Sequence, residues 1–403
     1  MTSRTATSTP ASSPSTPTVP PTGSSAKTSS RLRRGRPELY TDYAADMAMF
    51  NTPAKRLWTG LLLVGLLILP FYLDRSWTSL FITVFIFAIG AIGLNLVSGY
   101  AGQVSLGHAF FIGLGAFTAA YFGGTDPNFL GLGLDMAIWL PMAGIVPAIV
   151  GWAVAPLASR VRGLYLAIVT LGLLFVGGHF FNEFTSLTGG PNLGRTAAPP
   201  VLFGVDFSSA GPLLGIEMTA RQRIYFLTLV FVIVAAVLAR NLTRSKVGRA
   251  FAAVRDRDIA AEVMGVPLAR TKQSAFAISS FYAGICGGLI SLTSGGRLDP
   301  INFAGAEGLF LSVTFLAMVL IGGPATISGS LMGAAFVVFL PRFVETVAHY
   351  VPAIGSSGLF SVQQLENILF GVFIVAFLIL EPRGLFGLWL RVRNYWKAYP
   401  FSY

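Results

Sequence analysis

The sequence predicts an all-α polytopic membrane protein with about ten transmembrane helices. Of its 403 residues, 54% are hydrophobic and only 11% are charged, and the mean hydropathy is +0.69. This composition excludes an ordinary soluble protein. A membrane helix needs about 20 apolar residues, and ten runs near that length occur at 57–73, 77–98, 104–122, 137–158, 163–182, 222–239, 273–293, 303–322, 327–347 and 366–380.

The residues before the first run predict a disordered tail. Residues 1–53 are rich in Ser, Thr and Pro, and four arginines lie between positions 31 and 36. Such a composition cannot bury enough apolar surface to order the chain. An organelle transit peptide is also rich in Ser and Arg, but the prolines oppose the amphipathic helix that such a peptide forms.

The distribution of basic residues predicts the orientation of the helices. If the tail is cytoplasmic, alternate crossings place 159–162, 240–272 and 381–403 on the same side. Together with all residues before the first run (1–56), these segments hold 22 of the 28 Lys and Arg residues, as the positive-inside rule requires. We therefore expect ten spans with both termini cytoplasmic, a transmembrane domain at 54–385 and a cytoplasmic C-terminal tail at 386–403.

The net charge of +11 does not indicate a nucleic-acid partner. The basic residues lie at the ends of apolar runs and are not interleaved with stacking aromatic residues. Cys286 is the only cysteine, so an intrachain disulfide and a thiolate metal cluster are both excluded.

Two of the ten runs allow more than one interpretation. The run at 104–122 follows the glycine-rich turn 99–103, and it either crosses the membrane or forms a re-entrant or broken segment that lines a cavity. The run at 327–347 contains Pro341, where the helix either kinks or ends early.

Glycines are spaced for close helix packing. The pairs Ser98/Gly102, Ala109/Gly113, Gly284/Gly288 and Gly329/Gly333 follow the small-xxx-small pattern. A weak internal echo also occurs, since an apolar helix, a glycine-rich turn, a serine and a Gly/Ala-rich helix follow one another at 94–120 and again at 316–338.

The segment 240–272 is the one long polar stretch between apolar runs. It holds eight basic and three acidic residues. Its apolar residues recur at helical spacing, which predicts short amphipathic helices. Either a soluble partner docks on this loop, or the loop is a solvated basic segment near anionic lipid headgroups.

Few ionisable residues lie inside the apolar runs. Glu307 and Glu345 are near span ends, and His108 and His179 have no second metal ligand at a suitable spacing. Neither HExxH nor GxSxG is present. The sequence therefore disfavours a membrane enzyme and predicts neither a metal nor a cofactor.

Two energy sources for transport remain open on these residues alone. A proton-coupled transporter would need a carboxylate at mid-membrane, whereas a sodium site can be built from backbone carbonyls, so ion-coupled secondary transport stays possible. The chain has no GxxxxGK followed by Ser or Thr. If ATP is the energy source, a partner hydrolyses it and 240–272 is the surface on which that partner acts.

Five stretches carry a family resemblance. They are LNLVSGYAGQVSLGHAFF from Leu94, RGLYLAIVTLG from Arg162, FTSLTGGPN from Phe184, GRAFAAVRDRDIAAEVMGV from Gly248 and LAMVLIGGPATISGSLMGAAF from Leu316. In this order they resemble the membrane permeases of high-affinity branched-chain amino acid ABC importers, specifically the longer of the two permease subunits. The resemblance covers roughly residues 80–385.

The resemblance implies an ABC importer permease fold in the bacterial plasma membrane. It also implies a second related permease subunit, two cytoplasmic ATP-binding subunits and an extracytoplasmic solute-binding protein. In such importers a cytoplasmic loop motif docks on the ATPase, and here it corresponds to Ala260, Ala261, Glu262 and Gly265. Arg249 and Arg255 would be supporting contacts or solvated side chains.

The substrate pathway is expected beside the glycine-rich turn 99–107. Its few polar groups would be Asn95, Ser98, Gln103, Ser105 and His108, although the same residues could simply hydrogen-bond neighbouring helices. The resemblance implies leucine, isoleucine, valine or a similar neutral amino acid, with urea or short amides as the alternative. Because the apolar runs carry so little charge, a substrate of net charge is disfavoured.

Overall fold

The computed structural model describes residues 53–159, 164–191, 193–213, 215–293, 296–350 and 362–398. Nearly all of the predicted N-terminal tail and part of the loop 159–162 lie outside these ranges. The described chain contains fourteen α-helices: α1 Pro53–Tyr72, α2 Arg75–Asn95, α3 His108–Gly123, α4 Met136–Ser159, α5 Leu164–Glu183, α6 Thr185–Thr188, α7 Ala220–Arg244, α8 Lys246–Asp256, α9 Asp258–Val263, α10 Leu268–Ile290, α11 Gly305–Gly322, α12 Ile327–Tyr350, α13 Val362–Leu380 and α14 Gly384–Ala398.

Seven of the described helices are long and apolar enough to cross a membrane. They are α2, α4, α5, α7, α10, α11 and α12, and shorter apolar helices lie within α1, α3 and α13. These ten helices match the ten apolar runs, which confirms the all-α polytopic class.

The runs at 104–122 and 327–347, which allowed more than one interpretation, both form helices but of different length. The helix α3 begins at His108 and has 16 residues, about 24 Å of helix, which is shorter than the roughly 30 Å hydrocarbon core. The helix α12 continues through Pro341 to Tyr350. The proline therefore does not end the ninth apolar run.

The helix α2 links two groups of packed helices. One group is α3, α4 and α10, the other is α11 and α12, and α2 packs on α10, α12 and α7. With the π-helical turn that follows it, α2 forms the most buried of the seven spans.

Small residues allow the helix backbones to approach closely. A Cβ added at Gly284 in α10 would lie 2.7 Å from Pro147 Cγ in α4, and one at Gly333 in α12 would overlap the Met318 carbonyl oxygen in α11. Real side chains do not fit at such distances. The close-packing interpretation of these glycines is confirmed.

Short strands occupy one end of the bundle, which we call the hairpin end. The strands β1 (Arg195–Thr196), β2 (Val201–Leu202), β3 (Val205–Asp206), β4 (Gly211–Leu213), β5 (Ile216–Met218) and β6 (Arg297–Leu298) pair antiparallel as β1–β6, β2–β3 and β4–β5. The helix α7 leads from this end to the opposite one, the loop end, where α8 and α9 lie. The sequence analysis did not predict these strands.

Candidate coupling site at the loop end

The polar segment 240–272 folds into the amphipathic helices that its periodicity predicts. The Ser245 hydroxyl caps α8 by accepting hydrogen bonds from the backbone N–H groups of Val247 and Gly248 at 3.2 and 3.4 Å. Phe251 and Val254 turn inward and are buried. Through this face α8 packs against α10 and the turn that follows α2.

The short helix α9 and the residue after it, Met264, present apolar side chains to the outside. Val263 and Met264 are 82% and 83% exposed, and Ile259 is also exposed. Exposed apolar groups beside charged ones are typical of interaction surfaces. This face of the loop is therefore a candidate docking surface.

The residues predicted for ATPase docking separate into two groups. Ala260, Glu262 and Gly265 are exposed, whereas Ala261 is buried. Gly265 has a φ of +86° and no atom near the position of an added Cβ. Its backbone conformation, and not a lack of space, therefore favours glycine.

Arg255 joins this loop to the glycine-rich turn. It donates a hydrogen bond of 3.0 Å to the Gly99 carbonyl, and an added Cβ at Gly102 would lie 2.8 Å from Arg255 Cγ. The guanidinium also pairs with Asp256 at 3.3 Å on the surface. Among the described residues, Arg249 on the same helix bonds to the Arg244 carbonyl alone, at 3.0 Å.

The turn that Arg255 contacts begins with a π-helical segment, Leu96–Tyr100. Segments of this kind interrupt α-helices and frequently occur at functional sites. An added Cβ at Gly99 would lie 2.5 Å from the Ala325 nitrogen. The segment thus lies directly against the turn 323–326 between α11 and α12.

Asn95 holds these two turns together. Its Nδ2 donates to the Thr326 carbonyl at 2.9 Å and to Ser330 Oγ at 2.8 Å, and its Oδ1 accepts from the Ala325 N–H at 2.9 Å. The side chain is buried, so these bonds are shielded from competing water. The two stretches of the internal echo in the sequence therefore meet at this residue.

The other residues predicted for the pathway surround the same turn. Ser98 donates to the Gln103 carbonyl at 3.1 Å, and His108 Nε2 lies 3.1 Å from the Gly90 carbonyl. Ser105 and Gln103 are buried. Within the described part of the chain, Gln103 Nε2 has no hydrogen-bond partner. Gln103 therefore keeps unused donors beside the turn.

Two residues that the sequence analysis missed fix the start of α3. Thr170 in α5 accepts a hydrogen bond from the Leu106 N–H at 2.9 Å, and Ser312 in α11 accepts one from the Ala109 N–H at 3.0 Å. Both lie in apolar runs. A hydroxyl in a membrane helix was the only signal that could have identified them.

Arg195, also missed, organises the hairpin end. It is 1% exposed and donates to the carbonyls of Leu187, Ala120 and Leu130 at 2.7, 2.7 and 3.0 Å. Its Cζ lies 5.6 Å from the centroid of the Phe129 ring. Burial lowers the pKa of the guanidinium, but arginine stays charged in proteins. The three carbonyls and the ring thus stabilise a buried cation.

The described residues form a bundle of apolar helices. An exposed amphipathic loop touches the bundle where its buried helices are interrupted, and this is the arrangement of a membrane permease. The sequence model of one family, described as the permease component of branched-chain amino acid transport systems, matches residues 76–378. This chain belongs to that family.

Curated relatives agree with this assignment. The chain is 31% identical over 347 residues to the high-affinity branched-chain amino acid transport system permease protein LivM of Salmonella typhimurium, covering 83% of this chain and 76% of the relative. It is 31% identical to the Escherichia coli protein of the same name, covering 81% and 74%. A probable branched-chain amino acid transport permease protein LivH of Methanocaldococcus jannaschii is 24% identical, covering 63% and 76%. No solved structure matches.

Proposed function

We propose that this chain is the permease subunit of an ATP-driven importer that carries branched-chain or similar neutral amino acids into the cytoplasm. Membership of the family and the names of the relatives support the substrate class. Two cytoplasmic ATP-binding subunits supply the energy, and a second related permease completes the pathway. A solute-binding protein delivers the amino acid at the hairpin end. In this proposal the loop end and both termini face the cytoplasm of a bacterial cell.

The observation that carries the proposal is the hydrogen bond from Arg255 to the Gly99 carbonyl. It joins the exposed loop to a break inside the bundle, so a force applied to α8 and α9 reaches the buried helices. Asn95 then carries the displacement to the turn 323–326 and to α12. Such a chain of contacts needs two arrangements that ATP binding can bias.

The docking surface in this proposal is the exposed side of α9 and the turn after it. Ala260, Glu262 and Gly265 would contact the ATPase together with the exposed apolar residues of α9. The buried Ala261 would hold α9 against the bundle. Arg255 would transmit the movement, and Arg249 would support α8.

The pathway in this proposal runs beside the turn 99–107. Asn95, Ser98 and His108 have partners within the bundle, so they would shape the wall. Gln103 would offer its unused N–H groups to the passing solute. A wall with few polar groups suits an amino acid of no net charge, which the channel releases as easily as it binds.

Uptake of labelled leucine into proteoliposomes that hold the assembled transporter tests the proposal. We expect uptake to require ATP hydrolysis and to be inhibited by unlabelled valine, but not by urea or glutamate. Uptake driven by a proton or sodium gradient without ATP would contradict it and favour a secondary transporter. Competition by urea would reassign the substrate to short amides.

A further inference from the structure

A cavity of about 550 Å³ with both polar and apolar walls lies at the hairpin end, between the ends of α1, α2, α7 and α10. Neither the coupling site nor the proposed pathway includes it. Arg75 and Arg221 supply its charge, and none of the described lining residues is acidic. Its other polar side chains are those of Thr78, Ser79, Thr83, Thr219, Gln222 and Thr293. The volume is within the range of small-molecule sites.

Each hydroxyl group that lines this cavity already donates a hydrogen bond within the protein. Thr78, Ser79 and Thr83 donate to the carbonyls four residues earlier, at 3.0 to 3.1 Å. Thr293 donates to the Ile290 carbonyl at 2.9 Å, and Thr219 donates to Gln222 Oε1 at 3.1 Å. A hydroxyl has one proton. These oxygens can therefore act toward a ligand only as acceptors.

The donors that remain are concentrated in the two guanidinium groups. Arg221 donates one hydrogen bond to Ser79 Oγ, and Arg75 has no side-chain partner among the described residues. Each guanidinium carries five N–H groups in a planar fork that fits a carboxylate or a phosphate. By contrast Arg342, near the same end, already pairs with Glu345 at 2.9 Å.

The helix ends add to the positive potential of the cavity. Arg75 is the first residue of α2, and Ala220, which also lines the cavity, is the first residue of α7. Helix N-termini carry partial positive charge. The cavity therefore combines strong donors for an anion with neutral oxygen atoms that can accept hydrogen bonds from an ammonium group.

We propose that this cavity binds a zwitterionic group, with the anionic oxygens on Arg75 and Arg221 and the ammonium on the hydroxyl oxygens. Two sources have this chemistry at the hairpin end of a membrane protein. One is the carboxylate and ammonium of a free neutral amino acid, and the other is the headgroup of an ethanolamine phospholipid. The proposal does not depend on transport, since it concerns binding to this chain alone.

Binding to the purified full-length protein tests the site with two probes. The first is L-leucine, compared with leucinamide, which lacks the carboxylate. The second is phosphatidylethanolamine retained from nanodiscs in native mass spectrometry, compared with phosphatidylcholine, whose quaternary ammonium has no N–H donor. Each probe is measured on the wild type, on the double variant Arg75→Gln/Arg221→Gln, and on the control Arg342→Gln at the same end.

We expect one probe to bind the wild type and the control equally and to lose at least tenfold in affinity or retention on the double variant. A preference for leucine over leucinamide assigns the site to amino acids, and a preference for phosphatidylethanolamine assigns it to lipid. The proposal is overturned if neither probe binds the wild type, or if the double variant binds both as the wild type does. A thermal melt of each variant verifies folding, and the single variants replace a double variant that does not fold.

Discussion

Arg195 at the hairpin end and Arg255 at the loop end both donate to backbone carbonyls, but in opposite circumstances. Arg195 is 1% exposed and is bonded to three carbonyls. The Arg255 side chain is 40% exposed and is bonded to one carbonyl and a surface carboxylate. A buried cation cannot release its partners without a large cost, whereas a half-exposed one can exchange its carbonyl for water. The contacts of Arg195 are therefore costly to break, whereas the contact of Arg255 with Gly99 can be exchanged, as the proposed coupling role of the loop end requires.

The largest effect should come from removing the buried cation. Arg195→Leu leaves three carbonyls without their donor, at about 1–3 kcal/mol each. We expect the free energy of unfolding to fall by roughly 3 kcal/mol or more, measured by thermal or denaturant unfolding of the purified protein in detergent.

The matched control is Arg297→Gln at the same end. Arg297 is exposed and bonds to the Leu193 carbonyl, so its loss should change stability by no more than about 0.5 kcal/mol. Equal stability losses in the two variants would remove the contrast between buried and exposed arginines.

A smaller effect should follow from loosening the junction between the two turns. Asn95→Ala removes the three hydrogen bonds of a buried side chain, at about 1 kcal/mol each, so we expect lower thermal stability together with reduced leucine uptake. Ser330→Ala removes only one of these bonds and should cost about 1 kcal/mol. Wild-type melting and uptake in Asn95→Ala would show that the turns do not need this side chain.

The smallest effect on stability, with the most specific effect on transport, should come from Arg255→Gln. Because the side chain is half-exposed, we expect the free energy of unfolding to stay within about 0.5 kcal/mol of the wild-type value. The number of leucine molecules imported per ATP hydrolysed should fall about tenfold, as expected when a coupling contact of ordinary strength is lost.

Two further variants sharpen this result. Arg249, on the same helix, bonds to a carbonyl of the loop itself, so Arg249→Gln should leave the ratio of transport to hydrolysis unchanged. Arg255→Lys retains a charged donor and should recover part of the ratio. A wild-type ratio in Arg255→Gln would mean that the Gly99 contact carries no force.

The features that sequence analysis predicted depend on local patterns. Ten apolar runs gave the positions of the helices because a membrane helix needs a fixed length of apolar chain. A period of 3.6 residues gave α8 and α9. The small-xxx-small spacing placed a small residue on the same helix face at each turn, and this predicted the close contacts at Gly284 and Gly333.

The features that it missed depend on distant or featureless partners. The bonds of Asn95 join residues more than 200 positions apart, and no alternation of residues reports such a pairing. Arg195 binds carbonyl groups, which every residue carries, so its partners leave no mark on the sequence. Strands of two or three residues are too short to show a period. Ala261 matches the docking motif, but an alanine does not reveal whether it faces inward.

The central helix α2 begins at the cavity of the hairpin end and leads into the junction at Asn95. The α-helical part before the π-helical turn has 21 residues, about 32 Å of helix. A tilt of only about 7° around the midpoint of such a helix would displace its two ends by roughly 2 Å in opposite directions. In the proposed transport cycle, closure at one face and opening at the other would then be one tilt of this helix, and no signal would have to pass from residue to residue along it.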